Sequence, residues 1–194
     1  MSRPFALGGV IASVLLIAIG IGSVVIGLNG RSEVRDNLKL EKISGTPDMT
    51  PDAIRAAAEE AGLKDVAIPD CSVAGEAIDT GARARCFAKY MRIHALESTG
   101  GQVYAEMPRF LDADGKPTSD ESAAAKDPKT GAPVSNGQRD LWVTATALTT
   151  ALNTSYFAEQ VGLFSSIVGF ALLLVGIGFL VLMTSLLRAA PRTA

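Results

Sequence analysis

Histidine occurs once in the 194 residues, at His94, and cysteine twice, at Cys71 and Cys86. A non-haem iron site built on two histidines and a carboxylate cannot be assembled from one imidazole, and a catalytic zinc site needs about three converging ligands. No Cys-x-x-Cys spacing is present, so neither a thiol redox motif nor a zinc ribbon has support. A Gly-x-Ser-x-Gly elbow is also missing, and a Ser, His and acid set would have to use His94. Glu59 with Glu60, or Glu97 with Glu106, show no spacing that separates an acid and base pair from a solvated face. Asp112, Asp114, Gly115, Asp120 and Glu121 hold a fragment of a calcium loop but lack the third oxygen ligand before the glycine, so they read as a polar turn. The chain is therefore expected to be non-enzymatic, with no catalytic residue, metal or cofactor.

Charge is absent from two long stretches. Residues 5–28 and 161–187 contain no Asp, Glu, Lys, Arg or His, and each exceeds the roughly 20 apolar residues that cross a bilayer core as a helix. The first is too long for a removable signal and runs into Leu28, Asn29, Gly30 and Arg31 with no Ala-x-Ala site, so it reads as a retained anchor. The expected fold is an all-α membrane protein. Its parts are transmembrane helix 1 (5–28), an extracytoplasmic α-helical domain with a helical stalk (31–160) and transmembrane helix 2 (161–187).

Arg3, Arg188 and Arg192 are the only charged side chains outside residues 31–160, so that loop carries all 20 acidic residues, 15 basic ones and a net charge of about −5. An acidic loop lacks the basic face that nucleic acid requires. Orientation by charge is divided at the first span, where Arg31, Arg35, Lys39 and Lys42 outnumber Arg3. At the second it is clear, because Arg188 and Arg192 follow it and no Lys or Arg lies between Arg139 and its start. Both termini are expected in the cytoplasm and the loop outside the plasma membrane. Cys71 and Cys86 then lie in an oxidising compartment, where closing a ring of this length contributes roughly 3 kcal/mol; two free buried thiols are the alternative.

Small residues recur every seven positions in both spans, at Ser13, Gly20 and Gly27 and at Gly162, Gly169 and Gly176. Such stripes let helix backbones approach where lipid offers no hydrophobic drive, although glycine is common in membrane helices anyway. Beyond the first span Val34 and Leu38 prolong the helical rhythm until Ser44, Gly45, Thr46 and Pro47 break it. Thr50, Pro51 and Asp52 announce a short helix ending at Gly62. Over residues 82–96, Phe87, Tyr90, Met91 and His94 fall on one helix face, and Gly100 and Gly101 end it. A loop follows, interrupted at most by a brief helix around residues 119–126. From about Arg139 one long helix is expected through Leu187, with a strand over residues 141–150 as the rival.

Residues 69–71, the run 84–110 (with His94, Leu96, Glu97, Thr99, Gly100, Gly101, Tyr104, Ala105, Glu106 and Met107) and residues 141–157 resemble a family of two-span actinobacterial membrane proteins. Some of its members carry an automatic label as aromatic ring-opening dioxygenases, which the single histidine here does not fit. The resemblance implies a membrane location and an exported domain, and brings no catalytic residues with it.

The leading expectation is a membrane-anchored domain that binds or scaffolds membrane or cell-envelope components. Its partners are the lipid bilayer and a membrane or envelope protein, a second copy of the chain among the candidates. The expected contact surface is His94, Tyr104, Met107 and Phe110, against the alternative that these side chains pack on the stalk. Two other readings stand beside it: a small accessory subunit of a larger membrane complex, and a hydrolytic or metal-dependent enzyme using His94 with nearby carboxylates.

Overall fold

A computed structural model describes residues 3–189. Within them run α1 (Arg3–Leu40), α2 (Pro51–Glu60), α3 (Gly81–Ser98), the short strands β1 (Phe110–Leu111) and β2 (Pro117–Thr118), and α4 (Gly137–Ala189). The fold is thus mainly helical. Two helices, α1 and α4, are long and apolar enough to cross a membrane. The chain divides into two compact units, one made of the helix lengths up to Asn37 and from Phe157, the other of Leu38–Tyr156.

In the first unit the two helices pack antiparallel along their small residues. A Cβ added to Gly169 would lie 2.7 Å from the Gly20 carbonyl oxygen, and one on Gly20 would lie 2.9 Å from that of Gly169. Gly176 meets Ile17 and the Ser13 carbonyl in the same way, and Gly27 meets Gly162. Only a residue without a side chain permits that approach. Ser13 is fully buried and its hydroxyl donates back to the Gly9 carbonyl at 2.7 Å, while Ser165 crosses to the Ser23 carbonyl at 3.0 Å. The outward faces are left bare: Ile26, Phe164 and Leu174 are 71%, 68% and 74% exposed. A soluble protein would cover such a surface.

In the second unit, α2 starts where Thr50 accepts from the Ala53 amide at 3.3 Å, with Pro51 in the first turn, and it buries Ile54 and Ala58. The segment before it returns to the chain preceding α3, with the Gly45 amide donating to Glu76 and the Ile78 amide to Ile43, each at 2.9 Å. Gly45 is obligatory there because a Cβ would run into the Val73 carbonyl. α3 is capped by Thr80 and buries Ala84, Cys86, Phe87, Ala88, Tyr90, Ile93 and Ala95. That face is wider than the expected one and is rotated from it, since Ile93 is buried while Met91 and His94 sit at its margin.

Residues 119–126 form no helix. Asp120 spends its carboxylate on the Ser122 amide and hydroxyl, at 2.8 and 2.7 Å, a local bond that competes with a helical turn. The region is organised instead as a small antiparallel array. Leu111 donates to Val134 at 3.0 Å, Ala125 to Leu111 at 2.9 Å and Val134 to Ala125 at 2.8 Å, with β1 paired to β2 at its edge.

α4 begins at Gly137, where Asn136 accepts from the Gln138 amide at 3.1 Å and donates to the Pro108 carbonyl at 3.0 Å. Residues 141–150 are helical throughout despite their β-branched content. Thr144 returns its hydroxyl to the Asp140 carbonyl at 2.9 Å, which the helix accommodates.

Candidate functional site

Cys71 and Cys86 form a disulfide, tying the chain after Pro69 to the first turns of α3. The neighbouring Tyr90, fully buried, donates its hydroxyl to the Cys71 carbonyl, and burial pushes its phenol above the ordinary value. The same strand of chain is therefore fixed twice. Lys89 adds an exposed ion pair to Asp70 at 2.8 Å, and the hydrogen bond from that lysine holds the Asp70 carboxyl below its usual range.

His94 lies one turn further along α3 and is gripped at both ring nitrogens. Nδ1 is 2.9 Å from Glu97 Oε2 and Nε2 is 3.2 Å from Asp48 Oδ2. The Asp48 carboxyl is lowered, first by the Thr46 side chain and then, among smaller causes, by the charge of His94. An imidazole engaged on both sides by carboxylates has no ring nitrogen left for a nucleophile's proton. Among the described residues no three of His, Cys, Asp and Glu gather as a metal-ligand set. Asp112, from the calcium-like pattern, accepts from the Asp114 and Lys116 amides, both at 2.9 Å, and so closes a turn.

The four residues expected to form one surface are dispersed. Met107 is 2% exposed and packs with Ala95 and Trp142, flanked by Leu96, Val103 and Ala145, so it belongs to the core. Phe110 is half-buried in β1, where it pairs with Thr118. Tyr104 is exposed, with the Arg139 guanidinium 4.0 Å above its ring. His94 borders a different groove. That groove, about 410 Å³, runs between Met91, His94 and Ser98 of α3 and Leu141, Thr144 and Leu148 of α4. A second, of about 730 Å³, lies between Tyr104 and the Trp142, Val143, Thr146 and Thr150 face of α4. Trp142 lines the second groove and is covered on one side by Arg92, 5.5 Å from its ring.

Glu159 escaped the sequence reading altogether. It is 5% exposed, accepts from Arg35 Nε at 2.8 Å and lies 3.5 Å from Arg31 Nη2. The signal was present: two arginines four residues apart stand just beyond one apolar run, and an acid stands two residues before the other. The hairpin packing that joins them is not visible in a linear sequence.

The amino-acid sequence matches no protein-family model and no curated protein, and the fold matches no solved structure.

Proposed function

We propose that this chain is a membrane-anchored, non-enzymatic protein in which α1 and α4 form a transmembrane hairpin and the unit Leu38–Tyr156, held outside the cytoplasm, binds another membrane or envelope protein. The observation that carries the binding role is the surface of α4 within that unit. Residues 141–158 contain no charged side chain, yet Leu141 and Val143 are 42% and 52% exposed, and Tyr104 beside them is open as well. An uncharged, grooved helix face on a domain of net acidic charge is the kind of patch that a partner's side chains cover.

Three observations support the topology. The bare apolar faces of α1 and α4 require lipid or other helices. The Cys71–Cys86 bond belongs in an oxidising compartment. Arg31 and Arg35, which oppose export by simple count, precede a loop of about 130 residues, and loops that long translocate largely regardless of charge, while Arg188 and Arg192 follow the second span.

A photoactivatable cross-linker at Val143 in intact cells tests the reading, with the same group at Asp114, in the distant turn, as reference. A discrete adduct from Val143, absent at Asp114 and suppressed by Thr150→Arg in the same groove, is the expected result. A chain that forms no adduct at Val143 and is recovered as a solitary monomer from mild detergent would refute it.

A further inference from the structure

A cavity of about 420 Å³ separates one face of α3 from the chain leaving α2. On the α3 side it is lined by Lys89, Arg92, Ile93 and Leu96, which at this spacing share one helix face. The opposite wall is the consecutive run of residues 64–68, with Lys64, Val66 and Ile68. Among the described residues, no hydrogen bond reaches the backbone amides of this run. The wall offers the side chains of Val66 and Ile68 beside that of Lys64.

The charge here runs against that of the domain. Three cations and a single carboxylate, Asp65, line the cavity, whereas the loop as a whole carries about −5. The cations are committed to different degrees. Lys89 is paired with Asp70 and Arg92 leans on the Trp142 ring, while Lys64 makes no ion pair among the described residues. A volume in the range of about 300–1,000 Å³, an apolar floor and a few charged groups at the rim are the features of a small-molecule site.

We propose that this cavity binds a small amphipathic anion, a carboxylate or phosphate head on a short apolar body. Lys64 and Arg92 hold the head, Arg92 through its planar fork, and Val66, Ile68, Ile93 and Leu96 receive the body. The site is distinct from the α4 grooves and does not depend on the scaffolding role.

Trp142 is the only tryptophan and lies under the Arg92 guanidinium, so drawing Arg92 toward an anion changes its emission. The full chain in phosphatidylcholine nanodiscs is titrated with octanoate and with octyl phosphate, and equilibrium dialysis against empty discs confirms binding. The expected result is a saturable response to at least one of the two anions and none to octanol. Lys64→Gln, at an exposed side chain with no ion pair to lose, should weaken binding about tenfold, the worth of one charge-assisted contact. Lys126→Gln should leave it unchanged. The proposal is overturned if neither anion binds, if octanol binds as well, if inorganic phosphate binds equally and the apolar floor thus contributes nothing, or if Lys64→Gln has no effect.

Discussion

Removing the Cys71–Cys86 bond is the perturbation whose cost can be worked most directly. The two cysteines are 15 apart in sequence, and the chain-entropy effect of closing a ring that size is about 3 kcal/mol. The native fold should persist without the bond, because Tyr90 still donates to the Cys71 carbonyl and holds the same stretch of chain against α3, so the loss is that of the freed unfolded chain. For a unit of this size about 3 kcal/mol corresponds to a fall in Tm of roughly 12 °C. Far-ultraviolet circular dichroism is a poor reporter, being dominated by α1 and α4. Trp142 is a good one, since it packs with Ala95 and Met107 in the same unit as the bond. The paired variant Cys71→Ser with Cys86→Ser and the reduced wild-type chain should therefore melt together by tryptophan fluorescence, both well below the oxidised protein. Dithiothreitol should not move the serine variant. Equal midpoints for the oxidised chain and the variant would refute the reasoning, because the ring would then constrain nothing the unfolded chain could explore.

Gly169→Leu should splay the helix pair at a cost of about 1–3 kcal/mol, the usual penalty for overpacking, whereas Gly178→Leu, with open space around it, should not; spin-label distances between the helices would show a broadened distribution only in the first. Arg35→Ala should destabilise the same pair by about 2 kcal/mol, because it leaves the nearly buried Glu159 carboxylate with one counter-charge fewer, whereas Glu159→Ala leaves behind only arginines that are partly exposed and should cost less; unfolding of the purified chain in mixed micelles measures both. The carboxyls of Asp48, Asp70 and Asp79 are lowered, chiefly by Thr46, Lys89 and Arg83 respectively. Each therefore binds its proton less readily when folded than when unfolded. Their stabilisation is complete above the unfolded value of about 3.9 and disappears as pH falls through the lowered folded values, placing the acid limb of a Trp142 melting series below about pH 4. Tm unchanged on acidification from pH 5 to pH 2 would contradict that sign.

The sequence was legible wherever the determining interactions were local. Thr50, Pro51 and Gly62 bracket α2 through one cap, one ring and one positive φ, all readable within a dozen residues. The continuity of α4 was legible for a similar reason, since no proline falls between Arg139 and Leu187 and isolated glycines are common in apolar spans. The array around β1 was not, because its bonds join Leu111 to Val134 and Ala125 across intervening prolines and glycines that locally signal only turns. Met107 failed likewise. Its burial is supplied by Trp142, and nothing near Met107 in sequence announces that partner.

Glu159 shows how a nonlocal contact gives two local charges a shared partner. Taken singly, Arg31 and Arg35 are two positive charges just beyond the first apolar run. Packed together, the glycine contacts from Gly20 against Gly169 to Gly27 against Gly162 carry the two helices to a common level at which both arginines meet one carboxylate. Close backbone approach and charge compensation thus depend on each other. A shift of one helix by a turn, about 5.4 Å, would set Gly162 against a bulkier side chain and strand Glu159 beyond reach of Arg35. Substituting the glycines should consequently weaken the ion pair, and removing Glu159 should loosen the glycine contacts. A double-mutant cycle between Gly169→Leu and Glu159→Ala should therefore be non-additive despite the distance between the sites, and strict additivity would mean that the two features hold the helices independently.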